Sequence, residues 1–317
     1  MTIKLGIIMD PIGSINYKKD SSLAMLLEAQ ARGYALYYME QADLLVSDNQ
    51  PRANMRPLKV AADPQKWFEL EETQNLPLSE LDVILMRKDP PFDMDYIFST
   101  YLLELAEQAG VLVVNRAQSL RDANEKLYTL QFPQCTPSTL ISCNKNALRD
   151  FVVQQKDVIL KPLDGMGGAS IFRVKQDDAN INVIIETLTQ QGKRLIMAQQ
   201  FIPEISEGDK RILLIDGEPI PYALARIPAK GETRGNLAAG GTAVGVELSK
   251  QDYWICEQLG QSLRDKGLIF VGIDVIGDYL TEINVTSPTC IRELDSQYGL
   301  NISATMFDAI EARLNQN

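Results

Sequence analysis

The chain has 317 residues, of which 45% are hydrophobic and 23% charged, a composition typical of a globular protein long enough for two domains. Its net charge of −11 and the lack of a basic stripe argue against nucleic-acid binding, and no uninterrupted run of 18 apolar residues predicts a transmembrane helix. Because the chain contains no histidine, imidazole bases and histidine metal ligands are excluded.

The cysteines and the N-terminus narrow the class of protein further. Cys135, Cys143, Cys256 and Cys290 form no CxxC pair, which favours buried small hydrophobes over a disulfide framework or a zinc site. The apolar run after Met1 is too short for a signal peptide. We therefore expect a cytoplasmic protein without a membrane or nucleic-acid partner.

The first third of the chain alternates predicted strands with predicted helices. The strands are expected at 3–9, 35–39, 81–87 and 111–115, and the helices at about 20–32 and 95–109. The proline-containing stretch 47–78 is predicted to be irregular. Such alternation predicts an α/β domain built on a parallel sheet with helices on both faces.

The pattern changes near residue 120, where we place a domain boundary. A helix is predicted from 119 to about 131, followed by an α+β region. Its predicted strands are 158–162, 171–175, 195–201, 211–216 and 219–226. Its predicted helices are about 146–155, 179–191, 249–266 and 303 to the end.

A glycine-rich segment at 158–174 is the first candidate binding element. Lys161 ends a predicted strand, and Gly165, Met166, Gly167, Gly168 and Ser170 follow before the next strand. No helix follows, as a Rossmann fingerprint requires, and no Walker A sequence is present. A strand–loop–strand with an entry lysine suits a flexible lid over a triphosphate. The alternative is a tight hairpin whose glycines serve only the turn.

A second candidate is the acidic hairpin at 272–285. Keeping its apolar residues on one face places Ile273 opposite Ile283, and therefore Asp274 opposite Glu282. This register implies a three-residue loop, Gly277 to Tyr279. Asp274, Glu282 and Asn284 then converge as hard oxygen ligands suited to Mg²⁺ bridged by phosphates. The alternative is a solvated polar face.

The basic residues outside these two segments are, taken one at a time, weaker evidence for an anion-binding site. Lys126 lies on the predicted helix, where a solvated lysine is the simpler interpretation. Arg211 and Arg226 flank a predicted hairpin and could reach an anionic centre, or be surface charges. The glycine-rich stretch 227–245, which contains Arg234, is either a disordered connector or a lid over substrate.

Together these segments resemble the bacterial glutathione synthetases, a family of ATP-grasp ligases. The resemblance covers nearly the whole chain, including 9–22, 85–93 and 115–126. Its most specific parts are the glycine segment, residues 226–241 and residues 281–292.

The resemblance implies both a fold and a reaction. The fold is an N-terminal parallel α/β (pre-ATP-grasp) domain at 1–122, followed by an ATP-grasp domain at 123–317. The latter consists of two α+β subdomains, a lid at about 123–200 and a C-terminal subdomain at about 201–317. The implied reaction joins γ-glutamylcysteine to glycine with ATP, through an acyl phosphate, giving glutathione, ADP and phosphate. The family also implies a homotetramer that uses Mg²⁺, with Mn²⁺ as an alternative.

The resemblance also assigns residue roles. ATP is expected at Lys126, Lys161, Gly165, Met166, Gly167, Gly168, Ser170, Gln199, Gln200, Phe201, Ile202 and Asp209. The substrate-binding residues are expected to be Lys18, Arg87, Asn284 and Ser287, and the metal ligands Asp274, Glu282 and Asn284. The catalytic residues are expected to be Arg211, Arg226 and Arg234.

Two departures from the family pattern concern the substrate loop and the adenine hinge. After Gly241 the chain continues Thr242-Ala-Val-Gly-Val-Glu247, where the family often has basic residues. At the hinge, Gln199 and Gln200 stand where many ATP-grasp enzymes have a ribose-binding glutamate. The alternatives are a ligase that joins two D-alanines or adds glutamate, and a non-catalytic, synapsin-like ATP-binding protein. The intact arginine and metal-ligand set favours an enzyme.

Overall fold

The computed structural model describes residues 2–165, 169–229 and 241–316, which form three β-sheets and the helices packed around them. Within this part of the chain, no helix combines the length and the apolar character needed to cross a membrane.

The N-terminal sheet has eight strands in the order β3-β4-β2-β1-β7-β8, with β5 and β6 also paired to β4. The strands are β1 (Lys4–Ile8), β2 (Ala35–Met39), β3 (Leu44–Ser47), β4 (Gln50–Val60), β5 (Phe68–Leu70), β6 (Gln74–Pro77), β7 (Val83–Met86) and β8 (Leu112–Val114). The pairs β1–β2, β1–β7 and β7–β8 are parallel, which confirms the predicted parallel core.

Three helices flank this sheet: α1 (Ser21–Ala31), α2 (Met94–Gln108) and α3 (Ala117–Asp122). The carboxylates of Asp20 and Asp93 cap the first two by accepting backbone N–H groups at 2.6 and 2.9 Å. Gly33, at φ +82°, follows the end of the first helix, as predicted.

The prediction that residues 47–78 are irregular was wrong. The eleven residues of β4 form an antiparallel extension of the sheet, paired with β2, β3, β5 and β6. Pro51 and Pro57 both lie within this strand. They are an even number of residues apart, so their missing N–H groups fall on the same side of the strand. Antiparallel pairing leaves some N–H groups unbonded, and proline can occupy such positions.

The helix predicted from 119 to 131 is also interrupted, since α3 ends at Asp122. The side-chain oxygen of Asn124 accepts the backbone N–H groups of Lys126 and Leu127 at 3.1 and 3.0 Å, and this local bonding competes with the helix. The resulting turn is fixed to the C-terminal region because Ile283 N–H donates to the carbonyl of Glu125 at 2.8 Å.

The second sheet is antiparallel and carries two helices. Its strands, in the order β11-β10-β12-β9, are β9 (Thr139–Ser142), β10 (Asp157–Pro162), β11 (Phe172–Lys175) and β12 (Ile196–Gln200). Its helices are α4 (Lys145–Gln155) and α5 (Ile181–Leu188). This region has a hydrophobic core of its own, to which Leu148, Leu160 and Ile185 belong.

The third sheet, also antiparallel, has the order β15-β14-β13-β16-β17. Its strands are β13 (Asp209–Ile215), β14 (Glu218–Ile227), β15 (Thr242–Glu247), β16 (Phe270–Ile276) and β17 (Tyr279–Asn284). Helices α6 (Lys250–Asp265), α7 (Ile291–Tyr298) and α8 (Ile302–Leu314) complete it, of which α7 was not predicted. The short 3₁₀ helices are Ile12–Ser14, Gln41–Asp43, Leu78–Glu80, Tyr128–Gln131 and Pro203–Glu207.

The first and third sheets share their hydrophobic cores. One core includes Ile84 of β7 and Ile273 of β16, and another includes Leu5 of β1 and Phe307 of α8. Asn115, just after β8, reinforces this junction. Its buried amide donates to the carbonyls of Phe270 and Val285 at 2.7 Å each, and its oxygen accepts Phe270 N–H at 2.9 Å.

We expect Asn115→Ala to lower the free energy of unfolding by about 2–4 kcal/mol, because it leaves buried backbone groups without partners. Urea denaturation at neutral pH measures this loss. The control is Asn146→Ala, whose exposed side chain lies at the start of α4 and whose loss should change stability by no more than about 0.5 kcal/mol. Equal small effects for both variants would contradict a role of Asn115 in holding the two sheets together.

Candidate active site

The hairpin of β16 and β17 has the predicted register at its acidic pair. Ile273 lies opposite Ile283, and Asp274 lies opposite Glu282. The predicted three-residue loop was wrong: Ile276 pairs with Tyr279, so the turn has two residues, and the register shifts between Asp274 and Val275. In a regular two-residue hairpin Asp274 would not lie opposite Glu282. The bulge shifts the pairing by one residue and so returns the two carboxylates to opposite positions.

Asp274 is buried beneath two guanidinium groups. Arg211 lies opposite it on β13, with Nε at 2.5 Å from Oδ1 and Nη2 at 3.1 Å from Oδ2. Arg226, on β14, places Nη2 at 2.9 Å from Oδ2. Burial opposes ionisation of Asp274, but the two arginines outweigh it and hold the pKa of this carboxyl well below its usual range. The carboxylate therefore stays charged and fixes both arginines.

Asp209, at the start of β13, supports one of these arginines, Arg226. Its Oδ2 accepts Arg226 Nη2 at 2.5 Å, while its buried Oδ1 has no partner among the described residues. Burial raises the pKa of Asp209 to about 6; Arg226 opposes this shift, and the neighbouring Asp274 and Glu282 carboxylates add to it.

Two lysines converge on Glu282. Lys126 Nζ lies 3.5 Å from Glu282 Oε1, and Lys161 Nζ lies 3.7 Å from the same oxygen. Lys126 also contacts the Glu125 carboxylate and donates to the carbonyl of Gly165 at 2.9 Å. Its side chain is only 2% exposed, so the simpler interpretation of a solvated lysine was wrong.

The same surroundings shift the pKa values of the two lysines in opposite directions. Burial lowers the pKa of Lys161 and outweighs the attraction of Glu282. Burial also disfavours charged Lys126, but the Glu282 and Glu125 carboxylates outweigh it and raise its pKa. The cluster can therefore hold at least one permanent positive charge next to the acidic hairpin.

The glycine segment has the predicted strand–loop–strand form, since β10 and β11 pair from Asp157–Lys175 to Leu160–Phe172. Gly165 and Ser170 lie in the loop between these strands, and Ser170 has a positive φ of 58°. Met166, Gly167 and Gly168 lie outside the described residues, as does Arg234.

The predicted hinge begins in the last two residues of β12, Gln199 and Gln200, and continues into the two residues that follow it. Gln199 is buried and its Nε2 donates to Thr139 Oγ1 at 3.2 Å, whereas Gln200 is exposed. The Arg173 guanidinium stacks on the ring of Phe201, and its Cζ lies 3.5 Å from the ring centroid. Phe201 is half-buried and Ile202 is buried.

Of the predicted substrate residues, the structure brings two together. Arg87 is buried, donates to Ser22 Oγ at 3.1 Å and to the carbonyl of Pro288 at 2.9 Å, and its own carbonyl accepts Ser287 Oγ at 3.3 Å. Arg87 Nη1 is buried and without a partner among the described residues. Lys18 lines a surface cavity that includes none of the other predicted site residues.

The candidate metal ligands fit a hard cation to different degrees. Asn284 and Glu282 are two residues apart on β17 and so share a face. The side-chain oxygen of Asn284 is its possible ligand atom, since the buried Nδ2, which lacks a hydrogen-bond partner within the described chain, is a donor. Asp274, by contrast, uses both oxygens on the arginines. In residues 2–165, 169–229 and 241–316, no cluster of three or more Cys, Asp or Glu is arranged to hold a metal.

Glu125 is a member of this site that sequence reasoning missed. Its carboxylate contacts Lys126, and burial raises its pKa, with Glu282 adding to the shift. On the predicted helix, neighbours in sequence would point in different directions. The turn made by Asn124 brings the side chains of Glu125 and Lys126 together. Asn124, a residue that favours turns over helices, was the sequence feature that could have indicated this contact.

We expect Asp274→Asn to lower the free energy of unfolding by about 3–5 kcal/mol at pH 7, because it leaves two buried guanidiniums without their shared carboxylate. The pKa of Asp274 is depressed on folding, so its contribution is present above the unfolded pKa of about 3.9 and is lost as pH falls further. The difference between variant and wild type should therefore persist from pH 7 to about pH 4 and shrink below it.

Urea denaturation at several pH values measures this difference. Asp157→Asn is the control, because it removes a carboxylate that pairs with Arg173 at 2.6 Å on the surface. Its loss should cost less than about 1 kcal/mol. Asp274→Asn with a cost that small would mean that the buried network does not need this charge.

Models of two families match nearly the whole chain. The N-terminal domain of prokaryotic glutathione synthetase matches residues 3–121, and the ATP-grasp domain of prokaryotic glutathione synthetase matches residues 125–299.

Curated relatives match the chain from end to end. The glutathione synthetase of Pseudomonas syringae pv. tomato is 65% identical over 314 residues, covering 99% of this chain and 98% of the relative. The glutathione synthetase of Escherichia coli K12 is 59% identical over 314 residues, covering 99% of each.

Solved structures with low sequence identity support the fold. The D-cycloserine synthetase DcsG aligns with a TM-score of 0.68 at 14% identity, covering 98% of this chain and 99% of that one. The ATP-grasp ligase PsnB, in complex with a minimal precursor, Mg and ADP, aligns with a TM-score of 0.62 at 16% identity, covering 98% of each. Matches to both domain models and to full-length relatives show that this chain belongs to the prokaryotic glutathione synthetase family of ATP-grasp ligases.

Proposed function

We propose that this site makes glutathione by ATP-dependent ligation of γ-glutamylcysteine and glycine. The observation that carries the proposal is the convergence of Lys126 and Lys161 on Glu282, next to the arginine pair on Asp274. The dipeptide carboxylate attacks the γ-phosphorus of ATP, and ADP leaves. The glycine amine then attacks the acyl carbon, loses a proton, and phosphate leaves.

Lys126 and Lys161 bind the phosphates of ATP in this proposal. They come from different parts of the fold, one from the turn after α3 and the other from β10, and both are almost completely buried. The backbone amides between Gly165 and Ser170 supply further donors. Adenine lies at the hinge from Gln199 to Ile202, and Asp209 contributes to the nucleotide site.

Glu282 and Asn284 would hold Mg²⁺, with Asp274 as the third candidate ligand. Glu282 is partly exposed, and the side-chain carbonyl oxygen of Asn284, two residues further along β17, is of the ligand type that Mg²⁺ prefers. Ligation by Asp274 requires it to share its oxygens with Arg211 and Arg226. When bound, the metal would offset the negative charge of the ATP phosphates. Mn²⁺ is an alternative with similar ligand preferences.

Arg211 and Arg226 stabilise the negative charge that develops on the acyl phosphate and on the tetrahedral intermediate. Asp274 holds both arginines in place before the reaction and Asp209 also holds Arg226, so little reorganisation is needed at the transition state. Arg234 completes this set in the proposal. A histidine is not required, because positioning and charge stabilisation carry the chemistry.

The dipeptide is bound by Arg87 and Ser287, with contributions from Asn284 and Lys18. The unpartnered Nη1 of Arg87 is a donor available to a carboxylate. We also propose a homotetramer located in the cytoplasm, as the family resemblance implies.

Release of ADP should require γ-glutamylcysteine, glycine and Mg²⁺ together. A coupled ADP assay over pairs of dipeptides and amines, with each component omitted in turn, measures this requirement, and mass spectrometry identifies the product. Turnover with D-alanine but not with γ-glutamylcysteine would reject the proposed substrates. ATP binding without ADP formation for any pair would indicate a non-catalytic protein.

Replacing Glu282 with Gln should lower kcat at least ~100-fold, because it removes the charged metal ligand and the partner of both lysines. The control is Glu218→Gln, whose side chain is 79% exposed and pairs with Arg264 at 3.0 Å. Both variants should keep the wild-type circular dichroism spectrum. Near-normal turnover of Glu282→Gln would mean that this carboxylate does not hold the metal.

A further inference from the structure

Lys126 is bonded more closely to Glu125 than to the proposed metal ligand Glu282. Its Nζ lies 3.5 Å from Glu282 Oε1, which is longer than a usual direct hydrogen bond. The same Nζ donates to the carboxylate of Glu125 and, at 2.9 Å, to the carbonyl of Gly165. An ammonium group has three donors, so these two bonds leave one N–H for a further acceptor.

The turn that carries Glu125 and Lys126 is tied to two sheets. The carbonyl of Glu125 accepts the N–H of Ile283, on β17 of the third sheet, at 2.8 Å. Asn124 Nδ2 donates to the carbonyl of Leu163, just after β10 of the second sheet, at 3.1 Å. The backbone of Glu125 is therefore fixed to β17, while its carboxylate contacts a lysine that reaches the glycine segment.

Burial makes the two lysines of the site dependent on carboxylate partners. The side chains of Lys126 and Lys161 are 2% and 7% exposed, and a buried cation without a partner is costly. Lys161 Nζ approaches the same Glu282 oxygen, at 3.7 Å. If Glu282 ligates Mg²⁺, the cation draws on the oxygens that both lysines approach. Glu125 then still offers Lys126 a complete carboxylate.

We propose that Glu125 is a positioning residue that holds Lys126 at the phosphates of ATP and leaves Glu282 free for Mg²⁺, an inference that rests on the proposed function. Glu125 then acts through Lys126 and does not contact the dipeptide or glycine. Without its charge, Lys126 turns back to Glu282, away from the phosphates and in competition with the metal. The opposite expectation is that a carboxylate near the phosphates only repels them, so that its removal tightens ATP binding.

The first test measures the affinity for ATP by isothermal titration calorimetry, in Mg²⁺ and in EDTA. Glu125→Gln should weaken binding about 10-fold in both, because a charge-assisted hydrogen bond to Lys126 is lost. Glu125→Asp keeps the charge with a shorter reach and should have an intermediate affinity. The control Asp122→Asn removes an exposed carboxylate three residues earlier and should bind ATP like wild type.

Either variant can reject the positioning role. An affinity of Glu125→Gln equal to or above that of wild type would overturn the proposal. If Glu125→Gln does not fold, the same outcome for Glu125→Asp would overturn it.

The second test separates positioning from a general loss of structure. Glu125→Gln should raise KM for ATP about 10-fold, while KM for γ-glutamylcysteine and for glycine changes by less than about twofold. In the background of Lys126→Met, adding Glu125→Gln should weaken ATP binding by less than about twofold, because its effect depends on the lysine. Equal rises in all three KM values, or fully additive effects in the double variant, would overturn the proposal.

Calorimetry reports nucleotide binding without turnover, so the positioning role and the proposed function can fail separately. A wild type that binds ATP but forms no glutathione would reject the function, while the Glu125 variants still decide the role of this carboxylate. Normal glutathione synthesis with unchanged ATP affinity in Glu125→Gln would reject the positioning role alone.

Discussion

The charge framework of the site depends on one buried carboxylate shared by two guanidiniums. Asp274 connects three neighbouring strands, because Arg211 reaches it from β13 and Arg226 reaches it from β14. Ion pairs this deep gain little for stability over apolar packing. Their effect is to keep positive charge at a defined place in a low-dielectric environment, where a reaction without histidine needs it.

Much of the fold could be predicted because it rests on local patterns. Periodicity located β1, β2, α1 and α2, and the matching of apolar faces located Asp274 opposite Glu282. Strand β4 could not be predicted by the same means. Proline is compatible with a strand only where its missing N–H is not needed for pairing, so its prolines argue against a strand when the pairing is unknown. The pairing of β4 involves four other strands and cannot be read from its own sequence.

The site shows the same division between local and non-local information. The facing of Asp274 followed from side-chain alternation, yet the turn length was wrong because a bulge compensates for it. Burial of Lys126 and its contact with Glu125 depend on a turn that packs against β17. Helical periodicity in the sequence carries no information about this long-range contact. The contacts of both arginines with one carboxylate likewise depend on the order of strands in the third sheet.

The position of the site follows from how the hydrophobic cores are divided. The second sheet has its own core, whereas the first and third sheets share theirs. Lys161 belongs to the second sheet and Glu282 to the third, and Lys126 contacts both Glu282 and the carbonyl of Gly165. Polar contacts of this kind join two separately packed bodies without a continuous apolar interface. An anion bound by both lysines would therefore interact with each body at once, so its binding energy can favour one arrangement of the two over others.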